Sequence, residues 1–144
     1  MSDLNEHELI RKYIEHNQFG ILLGMDFTIL AKGIVHYRLT VHENHLATPR
    51  AAHGGAIAGL MDAALGVAAL SAVCEQGKVV STLEMSTRFH APALLDDQLV
   101  AEAHTITVGN RILVAEARIF NSSRTLIASG SGTFNAYPKE KAGF

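Results

Sequence analysis

From Ala51 to Cys74 the chain runs through twenty-four residues with a single formally charged side chain, Asp62. A segment this apolar has to be covered on most sides, by lipid or by protein. Lipid is the poorer cover. The run is mostly Ala and Gly, which give little transfer energy, and a carboxylate at its middle costs about 3 kcal/mol on insertion scales. The rest of the chain reads as amphipathic strands that need a partner to cover them. A helix from about Gly54 to Cys74, buried inside a sheet of the same chain and closed by Gly77, meets both needs.

The flanking patterns supply that sheet. Residues 3 to 19 open at Ser2 or Asp3 as an N-cap and carry Leu4, Ile10, Tyr13 and Ile14, which predicts a short amphipathic helix. A loop with Gly20 and Gly24 follows. Phe27 to Ala31 reads as a strand turned at Lys32-Gly33, and Val35, Tyr37, Leu39 and Val41 alternate with His36, Arg38 and Thr40 in a second. Residues 42 to 52, with Pro49, form a loop. After the helix, Leu83, Met85 and Phe89 alternate with Glu84, Ser86 and Arg88. Pro92 and Asp96-Asp97 separate that strand from Leu99–Val108. Gly109-Asn110 is a compact hairpin signal; Ile112–Phe120 follows, then Asn121-Ser122-Ser123, then Thr125–Phe134. The last three strands make an antiparallel meander, and Pro138 to Phe144 is a polar tail expected to be loose. The fold expected is α+β: a curved antiparallel sheet of about six strands around one long central helix, with a short N-terminal helix. Ala56, Gly59, Ala63 and Gly66, at three- and four-residue spacing, would let the sheet approach the helix backbone.

Size and charge narrow the function. A chain of 144 residues is room for one domain, here 1–144 with a core of about 20–135. Twelve basic against fourteen acidic side chains give a net charge of −2, without the basic excess that nucleic-acid binders use against phosphates. The polar start Met1-Ser2-Asp3-Leu4-Asn5-Glu6 has no apolar signal region, so a cytoplasmic location is expected, with no membrane or nucleic-acid partner. One cysteine, Cys74, excludes an intrachain disulfide and any multi-cysteine cluster. His42 and His45 lack a third ligand at metal spacing, so no metal site is expected.

The stretch His53-Gly54-Gly55-Ala56-Ile57-Ala58-Gly59-Leu60-Met61-Asp62-Ala63-Ala64-Leu65-Gly66 resembles the helix motif of hotdog-fold acyl-CoA thioesterases, most nearly the phenylacetic-acid-degradation type. Leu23-Gly24-Met25, Thr82, Glu84, Pro92 and Gly109-Asn110-Arg111 fit the same pattern, over roughly residues 20 to 135. The resemblance implies hydrolysis of an acyl- or aryl-CoA thioester to the free acid and coenzyme A. No cofactor is needed, since coenzyme A is part of the substrate. It also implies a homodimer at least, with a homotetramer expected, in which the acid reaches the thioester bound at the neighbouring subunit's helix start. Asp62 would be general base or nucleophile, Thr82 a hydroxyl beside it, and His53 a donor to the carbonyl or to the helix start.

The residues support that chemistry independently. Gly54 and Gly55 open a helix whose first N–H groups lack intrahelical partners and carry partial positive charge. With no side chain in the way, a carbonyl can approach them and its developing oxyanion can be held there. Asp62 lies two turns further on, too far along one helix to touch the same carbon. Leu60, Met61, Leu65 and Phe89 are candidates for an apolar acyl pocket; the resemblance implies contacts from the turn residues Asn110 and Arg111 to coenzyme A. One position departs from the pattern: Ala47 stands where relatives place an Asn or Gln, with Asn44, Thr48 or Arg50 as possible replacements. A hotdog dehydratase or hydratase, and a non-catalytic acyl-CoA-binding module, are the alternative functions.

Overall fold

The computed structural model describes residues 3–144, so Ser2 as a cap lies outside the described residues. The long helix is there: α3 spans Gly54–Val73, and thirteen of its twenty residues are buried. Six strands enclose it: β1 (Asp26–Ala31), β2 (Ile34–Thr40), β3 (Lys78–Phe89), β4 (Gln98–Val108), β5 (Ile112–Phe120) and β6 (Leu126–Pro138). They form one sheet in the order β1-β2-β4-β5-β6-β3, with every neighbouring pair antiparallel. β4, β5 and β6 are the meander read from the sequence. α3 is long and apolar enough to cross a membrane, but 72% of its most apolar window is buried inside the fold.

The core is the filling between α3 and the sheet. Leu60, Met61 and Leu65 have no exposed surface and lie among Leu99, Leu113, Ile119 and Phe134 from three strands. Leu65→Ala should cost about 2–5 kcal/mol, the range for a large-to-small change in a close-packed core. The shift of the urea midpoint at unchanged slope measures it. Ser71 is a buried polar residue with full employment: its hydroxyl donates to the Ala68 carbonyl and accepts the Gly33 N–H, each at 2.8 Å. Gly33 has φ +79, and a Cβ there would collide with Thr105, so only glycine makes this turn.

The N-terminal segment differs from the single helix expected over 3 to 19. Asp3 caps a short 3-10 turn, Leu4–Glu6. Then α1 covers Glu8–His16, and a separate α2 covers Gln18–Leu23, where a loop was expected. Gly20 is buried inside α2 and its N–H is capped by the Asn17 side chain at 3.1 Å; Gly24, at φ +73, ends the helix. α1 docks through buried Leu9 and Ile10 and through Tyr13, whose ring leans on Phe27, which in turn leans on Tyr37.

The small residues on α3 have divided roles. Gly66 faces the sheet at Phe134, as expected, but Gly59 makes room for Phe19 and Leu23 of α2 instead. The tail is also not loose. β6 extends to Pro138, the Lys139 N–H donates to the Gly77 carbonyl at 3.0 Å, and a 3-10 turn over Lys139–Ala142 follows. The ring of Phe144 then packs edge-on against His16, 5.5 Å between centroids.

Candidate active site

The helix start is built by the loop before it. The ring of buried His45 is held at both nitrogens: Nδ1 accepts the His42 N–H at 2.9 Å, and Nε2 lies 2.8 Å from the Leu23 carbonyl, to which it donates. Neither is free for a metal. The His45 carbonyl accepts the His53 N–H at 2.7 Å, and the Ala52 N–H bonds to the Ala93 carbonyl. These ties fix where α3 emerges from the sheet, leaving His53, Gly54 and Gly55 exposed.

The donors at that end are not equivalent. His53 is the N-cap, and its Nδ1 accepts the Gly55 N–H at 2.7 Å. The Ala56 and Ile57 N–H groups turn back to the His53 carbonyl. Gly55, expected as a substrate contact, is therefore occupied, and the Gly54 N–H is the donor of the first turn left without a partner among the described residues. The cap also fixes the histidine. A neutral imidazole that accepts at Nδ1 carries its proton on Nε2, so His53 presents a second, exposed donor beside Gly54. The ring of Phe89 covers this corner: a Cβ placed on Gly54 would stand 3.6 Å from its Cζ.

Asp62 sits partly buried where α3 passes β3, and the Thr82 hydroxyl donates to its Oδ1 at 2.8 Å. A break in strand parity makes this contact. Counted back from Phe89, Thr87 and Met85, strict alternation would turn Leu83 inward and Thr82 outward. The pairing of β3 with β6 slips between Thr82 and Glu84, and this bulge leaves Leu83 exposed and restores Thr82 to the face of Phe134 and α3. The alternation therefore keeps Met85 and Phe89 on one face of β3, with Phe89 still half exposed, but moves Leu83 to the other. Asp62 makes no ion pair among the described residues; Arg88, on the same strand, belongs to the other parity.

A cavity of about 210 Å³ opens at Asp62 and Thr82 and runs between α3, β3, α1 and the tail. Its walls include Tyr13, Gly66, Leu70, Phe134 and Phe144. Burial, together with neighbouring Tyr37 and Asp62, pushes the Tyr13 phenol well above the usual tyrosine range, so it stays neutral. Its oxygen accepts from Asn17, which also bonds Tyr37. Leu60, Met61 and Leu65 do not line this cavity: they occupy the sheet-facing side of α3 and are core. Asn110 receives the Lys78 ammonium on both its oxygens, at 3.0 and 3.1 Å, and Arg111 is exposed beside it. That hairpin lies next to the beginning of β3, nearer this chain's Asp62 than its Gly54. Ala47 and its neighbours are exposed, and the Thr48 hydroxyl accepts the Arg50 and Ala51 N–H groups of its own loop. Cys74 is buried, which raises its thiol pKa and keeps it from acting as a nucleophile.

Sequence reasoning missed Tyr13, Phe144 and the bracing role of His45. The apolar spacing of α1 was visible, but nothing local told that the tail returns to meet it.

A curved six-stranded antiparallel sheet wrapped on one helix, with an acid on the helix and an open glycine N–H at its start, defines a hotdog domain. The chain belongs to the Thioesterase superfamily, whose sequence pattern matches residues 51–128, more than half of it. It is 29% identical over 127 residues to a protein of Archaeoglobus fulgidus named as a presumed esterase, covering 88% of this chain and 80% of that one. Its fold is that of the Escherichia coli PaaI protein of the phenylacetic acid degradation operon, with TM-score 0.81, 23% identity, and 88% and 89% of the two chains covered. A Streptococcus pneumoniae protein described as a hypothetical thioesterase, solved with coenzyme A, has the same fold, with TM-score 0.78, 20% identity, and 88% and 97% covered.

Proposed function

We propose that the protein hydrolyses acyl- or aryl-CoA thioesters as a homodimer, each site being made from the Gly54 end of one subunit and Asp62 of the other. The observation that carries this is the separation of two complementary groups. Gly54 offers the open N–H and Asp62 the hydroxyl-anchored carboxylate, yet Asp62 is eight residue steps further along the helix, about 12 Å at 1.5 Å per residue. One chain cannot bring both to one carbonyl.

The sheet offers the means of joining two chains. β3 is an edge strand, paired only with β6, twelve residues long, with Leu83 and Phe89 both more than half exposed. Such an edge invites pairing with another chain. Along β3, Phe89 stands by Gly54 and Thr82 by Asp62. An antiparallel pairing of β3 with its copy, centred between Met85 and Ser86, sets Thr82 of one subunit opposite Phe89 of the other. Asp62 of one then faces the partner's helix start. Thr87 Oγ1, the one buried side-chain polar atom without a partner among the described residues, lies within that stretch.

In this arrangement the Gly54 N–H and the His53 Nε2–H hold the thioester oxygen. Thr82 fixes Oδ1 of Asp62, leaving Oδ2 to take a proton from water as the water oxygen attacks the carbonyl carbon. Collapse breaks the C–S bond, and the thiolate of coenzyme A recovers the proton from Asp62. Direct attack by Oδ2, giving a mixed anhydride, uses the same oxygen; single turnover in ¹⁸O-labelled water puts label into Asp62 only by that route. Coenzyme A bound to the pneumococcal fold relative supports a CoA thioester, and exposed Arg111 would be the residue to meet its phosphates. The likeness in fold to PaaI supports aryl substrates among those to be tried.

The test is a hydrolysis screen over short, aryl and long acyl-CoAs, read as free thiol, with the dimer followed by sedimentation. An active monomer at assay concentration would overturn the composite site. Thr82→Ala should lower kcat roughly ten- to hundredfold, because a hydrogen bond to a charged group is worth about 1.5–3 kcal/mol. Thr82→Ser should restore most of it, and an unchanged kcat in Thr82→Ala would remove the hydroxyl from the mechanism.

A further inference from the structure

We infer that the cavity behind Asp62 is the acyl pocket, and that Phe144, held against α1, closes it and sets the largest acyl group the enzyme accepts. The inference rests on the thioesterase reading and adds to it the substrate class and the residues that limit it.

Asp62 lines the cavity, so a thioester placed for attack has its acyl group beside it. Most of its other walls are apolar: Leu70 and Gly66 from α3, Phe134 from β6, Phe144 from the tail. Polar side chains line it too, Ser81, Tyr137 and Tyr13, and the Tyr13 oxygen already accepts from Asn17. The pocket therefore suits a hydrocarbon or aryl group without charge. Its volume, about 210 Å³, bounds the size. An apolar cavity of about 150 Å³ takes up benzene, so this one takes an aromatic ring with a short linker, or an alkyl chain of similar bulk.

The Phe144 wall is held by tertiary contacts. Lys139 is tied to Gly77, Gly143 turns at φ +92, and the Phe144 N–H bonds to the Lys139 carbonyl at 3.3 Å. These bonds bring the Phe144 ring onto His16 and across the pocket. A long chain entering at Asp62 meets this wall. The opposite wall can be moved as well. A Cβ added at Gly66 would stand 3.6 Å from Phe134, an ordinary contact, so an alanine fits there and narrows the lining that the two share. Gly66 is also mid-helix, where replacement by Ala favours the helix.

The experiment compares kcat/KM for acetyl-, hexanoyl-, benzoyl- and dodecanoyl-CoA in the wild type, Phe144→Ala and Gly66→Ala. The wild type should prefer hexanoyl- and benzoyl- over dodecanoyl-CoA. Phe144→Ala should raise dodecanoyl-CoA about tenfold relative to hexanoyl-CoA, and Gly66→Ala should lower benzoyl-CoA about tenfold while sparing acetyl-CoA, since one methylene of fit changes selectivity by roughly 10-fold or more. A profile that neither variant moves, with the wild type active, overturns the pocket assignment alone. Absence of turnover on the whole panel overturns the thioesterase reading and the pocket with it. Because Gly66→Ala is expected to fold at least as well as the wild type, its result stands even if Phe144→Ala loosens the tail.

Discussion

Asp62→Asn should lose at least a hundredfold, and up to ten-thousandfold, in kcat while the protein melts no earlier than the wild type. The rate loss is the ordinary worth of a positioned general base, about 10²–10⁴-fold. Asn keeps the size and can still accept the Thr82 hydroxyl, but it can neither take a proton from water nor form an anhydride. Stability should hold because the charge is a cost to the fold. The carboxylate is partly buried on an otherwise apolar helix, makes no ion pair among the described residues, and has one side-chain hydrogen bond. Removing it relieves desolvation. A purely structural carboxylate would give the opposite pair of results: activity kept per folded molecule and a lower Tm. Measuring kcat and Tm on one preparation separates the two. Near-normal kcat on any substrate the wild type hydrolyses would take Asp62 out of the chemistry and favour an acyl-CoA-binding module.

Much of this site was legible before the fold. Asp62 stood out because a lone charge in a long apolar run has to be explained, and the paired glycines because helix starts rarely tolerate two of them without a reason. The sheet and its meander followed from period-two alternation and from the Gly109-Asn110 turn. What stayed hidden was what local sequence does not encode. The bulge that turns Thr82 toward Asp62 has no composition of its own; it is a slip in pairing between β3 and β6, which are far apart in sequence. Leu60, Met61 and Leu65 read as pocket residues because they flank Asp62. On a helix wrapped by a sheet, though, the faces next to a functional residue belong to the core. α2 was missed because Gly20 and Gly24 look like breakers, yet burial and the Asn17 cap hold Gly20 in a helix. Phe144 ends a polar stretch, and only its contact with His16 shows that the stretch is wall rather than fringe.

Mixing two inactive variants should restore activity, from near zero to about one quarter of wild type. Gly54→Val places a branched side chain where the carbonyl must approach the open N–H, and its Cβ has room against Phe89, so the fold should survive while kcat is lost. Asp62→Asn leaves that end intact and disables the other. When equal amounts are co-refolded and pair at random, about half the dimers are mixed. In a mixed dimer the two sites differ. One combines the intact Gly54 of the Asp62→Asn subunit with the intact Asp62 of the Gly54→Val subunit, and the other carries both defects. Half the dimers with one good site of two give one quarter of the wild-type rate. If both groups acted within one chain, every site would carry a defect and mixing would restore nothing. The result does not depend on which acyl group is used, provided the wild type turns it over, and it separates a shared site from a dimer that is merely structural.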